Sequence, residues 1–236
     1  MHLRPTNAVL SDINADLIST LNTVRENSEK VLAAIWRFSN TRECYERVRR
    51  SKPRSEVAAA ARFIFLNRTC WGGVYRLNRR GEFNVPFGNS GRVICRGAQL
   101  SALAKSLDNT ELIASDFESV INRVRRGDVC YADPPYTTKG ANNGFLRYNE
   151  RLFSWDDQIR LAYASRAAAS RGGFIVVSAL WHDGVLDLYR GWWACKVRRT
   201  VCVGRNIRSR VPIDEALVFS RLPRMSTLFE SEIRKL

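Results

Sequence analysis

The sequence has few of the residues that bind metal ions in proteins. Histidine occurs only at His2 and His182, and the six cysteines include no pair with Cys-x-x-Cys spacing. Because structural zinc sites use closely spaced Cys and His ligands, we expect no metal site. Cys130 and Cys202 lie within apolar strand patterns, which favour small buried hydrophobic side chains.

Long apolar runs are also missing. No stretch approaches the roughly 20 residues that a transmembrane helix needs, and the sequence does not start with the pattern of a signal peptide. It contains no lipidation motif, internal repeat or low-complexity linker. A chain of 236 residues can form one domain, or one domain that carries an insertion. We therefore expect a cytoplasmic protein that acts as a monomer, away from membranes.

Acidic residues are scarce relative to basic ones. The chain has 38 Lys and Arg residues but only 23 Asp and Glu residues, which gives a net charge of +15 and a pI near 10.2. Such a charge attracts polyanions, and nucleic acid is the commonest of them. A solvated basic surface without a partner is the alternative. The segment 42–54 is crowded with Arg and Lys, and both a solvated helix face and a phosphate-binding face remain open for it.

The segment that carries most of the functional interpretation is an apolar stretch that ends in Asp133. Residues 129–132 predict a short buried strand, and Pro134 ends it because proline has no N–H to give to a sheet. Open α/β sheets bind ligands beyond the carboxyl ends of their strands. The Asp133 carboxylate and the Pro134 carbonyl can accept the two N–H bonds of a planar amine, and the Tyr136 ring can stack on its heterocycle. A strand-ending turn with an exposed tyrosine is the alternative.

Strand and helix patterns alternate along the chain, which predicts an α/β fold. The predicted strands are at 8–14, 111–117, 129–132, 174–178, 194–203 and 215–219. The predicted helices cover much of 15–70, with further helices around 100–107, from a capping box at 154–157, and around 185–189. The segment 137–149 is poor in apolar residues, and we interpret it as a mobile loop over the substrate.

The segment around Arg79 and Arg80 predicts a β-hairpin. Residues 75–78 and 82–85 alternate in polarity, and Gly81 can supply the positive φ of the turn. Two arginines at a hairpin tip repel one another, so the fold gains nothing from them. A two-stranded ribbon fits the major groove of DNA, where arginine can donate a forked pair of hydrogen bonds to guanine. The hairpin therefore predicts a DNA contact.

Three segments resemble those of one enzyme family. Asp-Pro-Pro-Tyr at 133–136, after an apolar strand, resembles the catalytic motif of amino-group methyltransferases that use S-adenosylmethionine (SAM). Residues 67–88 resemble the DNA-contacting segment of the Dam-type, or D12 class, adenine-N6 DNA methyltransferases. Residues 199–219 resemble the closing segment of the same enzymes. The first two motifs have the family's order and a similar spacing.

The resemblance implies a Rossmann-like, SAM-dependent methyltransferase sheet with an inserted helical and β-hairpin domain for DNA recognition. The implied boundaries are 1–22 and 98–236 for the catalytic domain and 23–97 for the insertion. The implied reaction transfers a methyl group from SAM directly to N6 of an adenine that has left the stack of duplex DNA. The implied catalytic residues are Asp133, Pro134, Pro135 and Tyr136.

The resemblance also implies which residues hold the cofactor and the DNA. Asp12, at the end of a predicted strand, corresponds to the acid that binds the SAM ribose, and Asp116 with Phe117 corresponds to the pair at the SAM adenine. Asp133 also belongs to the implied cofactor site. The implied DNA-binding residues are Arg68, Trp71, Arg76, Asn78, Arg79, Arg80, Pro86 and Asn89.

The sequence departs from the family within the DNA-contacting segment. Trp71 corresponds to an aromatic residue that enters the duplex as the target base leaves. Gly72, however, stands where the family often has Asn. We therefore do not carry over a side-chain contact from this position to the base that is left unpaired when the target base leaves the duplex. Asn89 stands where members that recognise GATC commonly have Arg. We therefore expect the protein to recognise DNA, but we do not infer that it recognises GATC.

A Gly-rich turn after the first strand is the main family feature that the sequence lacks. Family members carry a Phe-x-Gly-x-Gly segment, which lets the backbone approach the methionine part of SAM. Asp12 comes early for a full-length member, so we expect that the first strand, its glycine turn and the helix before it are absent, and that SAM binds weakly or not at all. A start site assigned too late and a degraded copy of the gene both remain open as the reason. A non-catalytic DNA-binding remnant is the alternative function. Methylation of RNA or of a protein Gln amide ranks lower, because the hairpin segment is present.

Overall fold

The structure is a computed structural model that describes residues 5–78, 80–88, 94–137, 153–202, 210–222 and 233–236. Helices and strands both contribute to it, so the mixed α/β class predicted from the sequence is confirmed. The chain forms two compact units, one that ends at Asp116 and one that begins at Phe117. Across these described ranges, no helix is both long enough and apolar enough to cross a membrane.

The first unit combines a parallel pair of strands with α-helices. Its elements are β1 (Ala8–Asp12), α1 (Ala15–Ile35), α2 (Arg42–Arg50), α3 (Glu56–Thr69), α4 (Gly97–Ser106) and β2 (Thr110–Ala114). The register pairs Ala8 with Thr110 and Asp12 with Ala114. Both strands therefore end at the same edge of this small sheet.

Side-chain caps fix where α1 and α3 begin. Asn14 Oδ1 accepts a hydrogen bond from the Leu17 N–H at 3.1 Å, at the start of α1. Ser55 Oγ accepts one from the Ala58 N–H at 3.3 Å, at the start of α3. These bonds satisfy N–H groups that the first turn of a helix leaves unpaired, so Asn14 and Ser55 set the first residues of α1 and α3.

Two apolar clusters hold the first unit together. One joins α1, α3 and α4 through the buried residues Val24, Val31, Ile35, Ala60, Ala61, Leu100 and Ala104. The other joins α2 and α3 to the segment 83–87 through Cys44, Tyr45, Val48, Phe65, Leu66, Cys70, Phe83, Val85 and Phe87. Burying one large apolar side chain contributes about 1.5–3 kcal/mol. The second cluster therefore fixes the segment 83–87 firmly against the helices.

The second unit is built on a five-stranded sheet. Its elements are α5 (Phe117–Ile121), β3 (Val129–Ala132), α6 (Trp155–Ser170), β4 (Phe174–Leu180), α7 (Asp183–Leu188), β5 (Trp193–Cys202), β6 (Arg210–Phe219) and β7 (Ile233–Lys235). The strand order is β3-β4-β6-β5-β7. β3 and β4 are parallel, and the other neighbours are antiparallel. The capping box predicted for α6 is confirmed, because Ser154 and Asp157 each bond the backbone N–H of the other at 2.8–3.1 Å.

The structure corrects the prediction that 129–132 is a buried strand. The strand forms as predicted, but the Val129 and Tyr131 side chains are 70% and 61% exposed. Cys130 and Ala132 are half-buried and pack against the core of the second unit. The side chains therefore alternate between core and solvent, which four apolar-leaning residues in a row did not indicate. Burial raises the pKa of the Cys130 thiol, as expected for a cysteine that packs as a small hydrophobic residue.

Further corrections concern the end of the chain and the hairpin. The strands predicted at 194–203 and 215–219 are not both at the sheet edge, because β6 lies between β4 and β5 and the unpredicted β7 pairs with the far side of β5. The hairpin contains an isolated bridge between Leu77 and Phe83 instead of two regular strands. The loop predicted at 137–149 lies outside the described residues beyond Thr137, as does the side chain of Cys202.

Candidate functional site

The Asp-Pro-Pro-Tyr motif begins where β3 ends. β3 stops at Ala132, and the Asp133 side chain that follows it is exposed. Pro134 and Tyr136 are half-buried, whereas Pro135 is exposed. β3 and β4 run in parallel, so the motif lies beyond the carboxyl end of a strand in a parallel pair, as predicted. The Asp133 carboxylate is therefore accessible to a ligand at this edge.

A hydrogen bond to β4 fixes the Tyr136 ring. The Tyr136 hydroxyl and Ser178 Oγ are 2.7 Å apart, and either of them can donate. Ser178 is only 3% exposed. Burial raises the pKa of the Tyr136 phenol, the Ser178 bond opposes this shift, and the nearby Glu215 and Asp133 carboxylates add to it. The phenol is therefore a neutral, oriented group next to Asp133.

Ser178 was not among the residues predicted from the sequence. Its only sequence signal is a hydroxyl at the end of the apolar run 174–177, where a polar group needs a partner once it is buried. The pairing with Tyr136 joins residues 42 positions apart, and only the packing of β4 beside β3 brings them together.

We expect Ser178 and Tyr136 to be energetically coupled. Ser178→Ala leaves a half-buried phenol without this partner and should lower the free energy of unfolding by about 1–2 kcal/mol. Tyr136→Phe removes the other hydroxyl, so the double variant should be less destabilised than the sum of the two. Urea denaturation of the four proteins measures this coupling. Strict additivity would show that the 2.7 Å contact contributes nothing.

The structure brings Asp12 and Asp116 to one edge of the first unit's sheet. Asp12 is the last residue of β1, and Asp116 follows the end of β2 by two residues. The Asp12 side chain is exposed, and its Oδ1 accepts a hydrogen bond from the Asn14 N–H at 2.7 Å. The Ser115 N–H donates to the Asp12 carbonyl at 3.1 Å, which locks the two strand ends together. Asp12 and Asp116, which were predicted separately, therefore lie at the same sheet edge.

The Phe117 ring, predicted to contact the SAM adenine, already packs against Phe153 and Arg160. It opens α5, and its ring centroid lies 5.6 Å from that of Phe153. The Arg160 guanidinium lies over the Phe117 ring at 4.9 Å from the centroid. Arg160 also pairs with Glu118 at 3.0 Å and with Asp157 at 2.7 Å. A ligand that stacks on Phe117 would therefore have to use the ring face opposite Arg160.

The predicted DNA-contacting segment leaves α3 through a tight turn. Trp71 is 41% exposed in a short 3-10 turn that includes Gly72 and Gly73, both with φ of +67°. The Trp71 N–H donates to the Pro86 carbonyl at 2.8 Å. A Cβ atom on Gly88 would lie 2.5 Å from the Cys70 carbonyl oxygen, so the segment that returns from the hairpin fits only with glycine at this position.

The hairpin turn is organised by Asn78. Its side-chain oxygen accepts hydrogen bonds from the backbone N–H groups of Arg80 at 2.9 Å and Glu82 at 3.0 Å. Its amide nitrogen donates to the Glu82 carboxylate at 2.9 Å. Gly81 has a φ of +74°, as predicted for this turn. Asn78, predicted to contact DNA, therefore already uses both ends of its amide to shape the tip.

The arginines of the segment differ in how they are held. Arg76 Nε donates to Asn84 Oδ1 at 2.8 Å, and among the described residues its two terminal nitrogens have no partner. Arg68 Nε donates to the Ile94 carbonyl at 3.1 Å. The Arg80 side chain is exposed. Arg79 and Asn89 lie outside the described residues. The fork of Arg76 is thus oriented and accessible.

A half-buried tyrosine links the hairpin to α1. The Tyr75 hydroxyl donates to Asp16 Oδ2 at 2.8 Å, and the Tyr75 ring packs on Phe63 and Phe83, with centroids 4.8 and 5.4 Å away. Burial raises the pKa of the Tyr75 phenol, and the Asp16 carboxylate raises it further. Sequence reasoning missed this link, because nothing in the local pattern relates residues 59 positions apart.

Comparison of the sequence with known proteins identifies its family. The family profile of the D12 class N6 adenine-specific DNA methyltransferases matches residues 1–196. Type II methyltransferase M.MjaIII of Methanocaldococcus jannaschii is 33% identical over 205 residues, 80% of this chain and 71% of that protein. DNA adenine methylase of Escherichia coli K12 is 30% identical over 221 residues, 89% of this chain and 77% of that protein. Type II methyltransferase M1.LlaDCHI of Lactococcus lactis subsp. cremoris is 29% identical over 227 residues, 92% of this chain and 80% of that protein. The family inferred from the sequence motifs is confirmed, and the chain belongs to the D12 class N6 adenine-specific DNA methyltransferases.

Proposed function

We propose that the protein methylates the N6 amine of adenine in duplex DNA at specific sites, with SAM as methyl donor. The exposed Asp133 carboxylate after β3, beside a tyrosine that Ser178 holds, carries this proposal. The target adenine leaves the stack before it reacts, because its amine is inaccessible inside the duplex. It then lies on the Tyr136 ring, a stacking contact of about 1–3 kcal/mol.

Asp133 and Pro134 orient the amine. The Asp133 carboxylate and the Pro134 carbonyl each accept one N–H bond, so the nitrogen presents its remaining lone-pair direction to the donor. The amine is a poor nucleophile because its lone pair is delocalised into the ring. Formation of the N–CH3 bond would break the methyl–sulfur bond of the donor and place a positive charge on the nitrogen. The carboxylate stabilises this charge until one amine proton leaves to the carboxylate or to water. No covalent bond between protein and base is required.

The acids of the first unit fit the proposed cofactor. Asp12 is exposed, and only its Oδ1 has a partner among the described residues, which leaves Oδ2 for a ribose hydroxyl. Asp116 and Phe117 are proposed to contact the adenine of the cofactor. When bound, SAM supplies an electrophilic methyl group on its sulfonium. The proposed domains are catalytic for 1–22 and 98–236 and DNA-binding for 23–97.

Methyl transfer from labelled SAM into duplex DNA tests the proposal. We expect label in duplex DNA, recovered as N6-methyladenine after digestion, and none in RNA or protein. Calorimetry with SAM distinguishes the remaining possibilities. Binding of DNA without heat from SAM would favour a non-catalytic DNA-binding protein, whereas label in RNA or in a glutamine amide would replace DNA as the substrate.

A further inference from the structure

Helix α2 and the loop after it form a strongly basic surface that the proposed hairpin contact does not include. We call residues 42–54 the basic arm. It holds six basic residues and two acidic ones, a net charge of +4 out of +15 for the chain. The acids are Glu43 and Glu46, and the bases are Arg42, Arg47, Arg49, Arg50, Lys52 and Arg54.

One face of α2 is buried, and the basic side chains lie on the other. Cys44, Tyr45 and Val48 are at most 4% exposed and pack into the cluster with Phe65. Arg47 and Arg50 are exposed on the same helix, and the loop residues Lys52 and Arg54 are exposed after it. The anchored apolar face of α2 therefore directs Arg47 and Arg50 to the opposite face of the helix.

Basic residues near a helix C-terminus often bond its last carbonyl groups, but in α2 other side chains already bond two of these carbonyls. Cations near the last turn stabilise unpaired carbonyl groups. Here Arg62, from α3, donates to the Val48 carbonyl through Nε at 3.0 Å and to the Arg49 carbonyl through a terminal nitrogen at 2.7 Å. Ser51 Oγ also donates to the Val48 carbonyl, at 2.7 Å. The exposed bases are not needed as caps.

Ion pairing does not account for them either. Arg49 pairs with Glu46 at 2.7 Å, which uses one acid of the arm. Arg50, Lys52 and Arg54 have no ion pair or hydrogen bond from their side chains within the described part of the chain, and Arg47 contacts only the Cys44 sulfur, at 3.4 Å. Like charges held close together without partners destabilise a fold slightly, so a ligand of opposite charge is the simplest reason for them.

The basic arm is rigidly joined to the DNA-contacting segment. The Tyr45 hydroxyl donates to the Val85 carbonyl at 2.7 Å. The Tyr45 and Phe87 ring centroids lie 5.4 Å apart, and the Arg42 guanidinium lies 5.9 Å from the Phe87 ring centroid. The arm and the segment 83–87 form one body. The arm therefore keeps a fixed position relative to the segment 83–87.

We propose that Arg47, Arg50, Lys52 and Arg54 bind phosphates of the duplex outside the bases that the hairpin contacts. This inference rests on the proposed DNA substrate and adds a second contact surface to it. Arginine and lysine bind phosphate oxygens without reference to base sequence. The arm then contributes affinity and the hairpin contributes specificity.

The salt dependence of DNA binding tests this division. Replacing the four residues by Gln should lower the slope of log K against log salt concentration by roughly 2–4, since each lost phosphate contact contributes about 0.9. At physiological salt, affinity should fall about 10- to 100-fold. The ratio of affinities for preferred and unrelated duplexes should stay unchanged, because phosphates carry no sequence information.

A matched variant controls for net charge. Lys30, Arg37, Arg96 and Lys105 are also exposed basic residues of the first unit, and their replacement by Gln removes the same charge. We expect a much smaller change of slope for this variant. An equal change in both variants, or no change in the arm variant, overturns the inference while leaving the DNA substrate in place. Absence of duplex binding by the unaltered chain would overturn both proposals. Far-ultraviolet circular dichroism of each variant confirms that α2 is retained.

Discussion

Replacing Asp133 with alanine is expected to slow methyl transfer to duplex DNA by roughly 10²–10³-fold, with duplex affinity nearly unchanged. The carboxylate is exposed at the end of β3 and far from the hairpin in sequence, so its loss should not disturb the DNA contact. It removes the acceptor that orients the amine and stabilises its growing positive charge. The loss therefore appears in the rate of the chemical step and not in DNA binding. Single-turnover kinetics with labelled SAM, alongside DNA-binding titrations, measures both.

Two further variants sharpen the result for Asp133. Asp133→Asn keeps an acceptor oxygen but removes the charge, so its rate should lie between those of the original chain and the alanine variant. Asp156→Ala removes an exposed acid from the same unit, at the start of α6, and should leave the rate unchanged. A near-normal rate for Asp133→Ala would mean that another group orients the amine. An equal loss of rate in Asp156→Ala would show that the loss in Asp133→Ala comes from the change in net charge and not from a specific contact with the amine.

Replacing Arg76 with lysine is expected to lower discrimination between the preferred duplex and its single-base variants by about 1–3 kcal/mol, a factor of roughly 5 to 150. Asn84 holds the Nε of Arg76, which leaves a planar fork directed away from that bond. Lysine keeps the charge but cannot donate a forked pair to one base. Affinity for unrelated DNA should therefore change little. Competition binding with a panel of duplexes gives the ratio.

The hairpin itself supplies the comparison for Arg76. Arg80→Lys changes an exposed side chain at the tip whose guanidinium has no orienting bond among the described residues, so it should cost less discrimination. Asn84→Ala should reproduce part of the Arg76→Lys effect, because it frees the Nε that fixes the fork. If Arg76→Lys instead weakens binding to every duplex equally, Arg76 contacts phosphate and does not read a base.

Local signals in the sequence predicted much of this molecule. Proline after Asp133 ends β3 whatever the rest of the chain does, and the capping box at Ser154 starts α6 through contacts within four residues. The exposure of Tyr131 and the position of β6 inside the sheet could not be predicted in the same way. They depend on which strands become neighbours, and β3 has only β4 beside it among the described strands of its sheet.

In the candidate site, too, residues in short contiguous motifs could be predicted, whereas residues that depend on distant contacts could not. Asp133, Tyr136 and the hairpin segment are recognisable because they form short contiguous motifs. Their supports are not: Ser178 lies 42 residues from Tyr136, Asp16 lies 59 residues from Tyr75, and Arg62 closes α2 from a different helix. Each support bonds a polar group that only the folded packing brings within reach. Sequence reasoning therefore located the groups proposed to act and missed the groups that hold them.

The bond between Tyr75 and Asp16 has a thermodynamic consequence. Asp16 lies in the first turn of α1, four residues after Asp12, while Tyr75 belongs to the ribbon proposed to grip DNA. If DNA binding moved the hairpin, this 2.8 Å bond would pass the movement to Asp16 in the first turn of α1, four residues after the proposed ribose acid. Linkage is reciprocal, so whatever factor DNA imposes on cofactor affinity, the cofactor must impose on DNA affinity in equal measure.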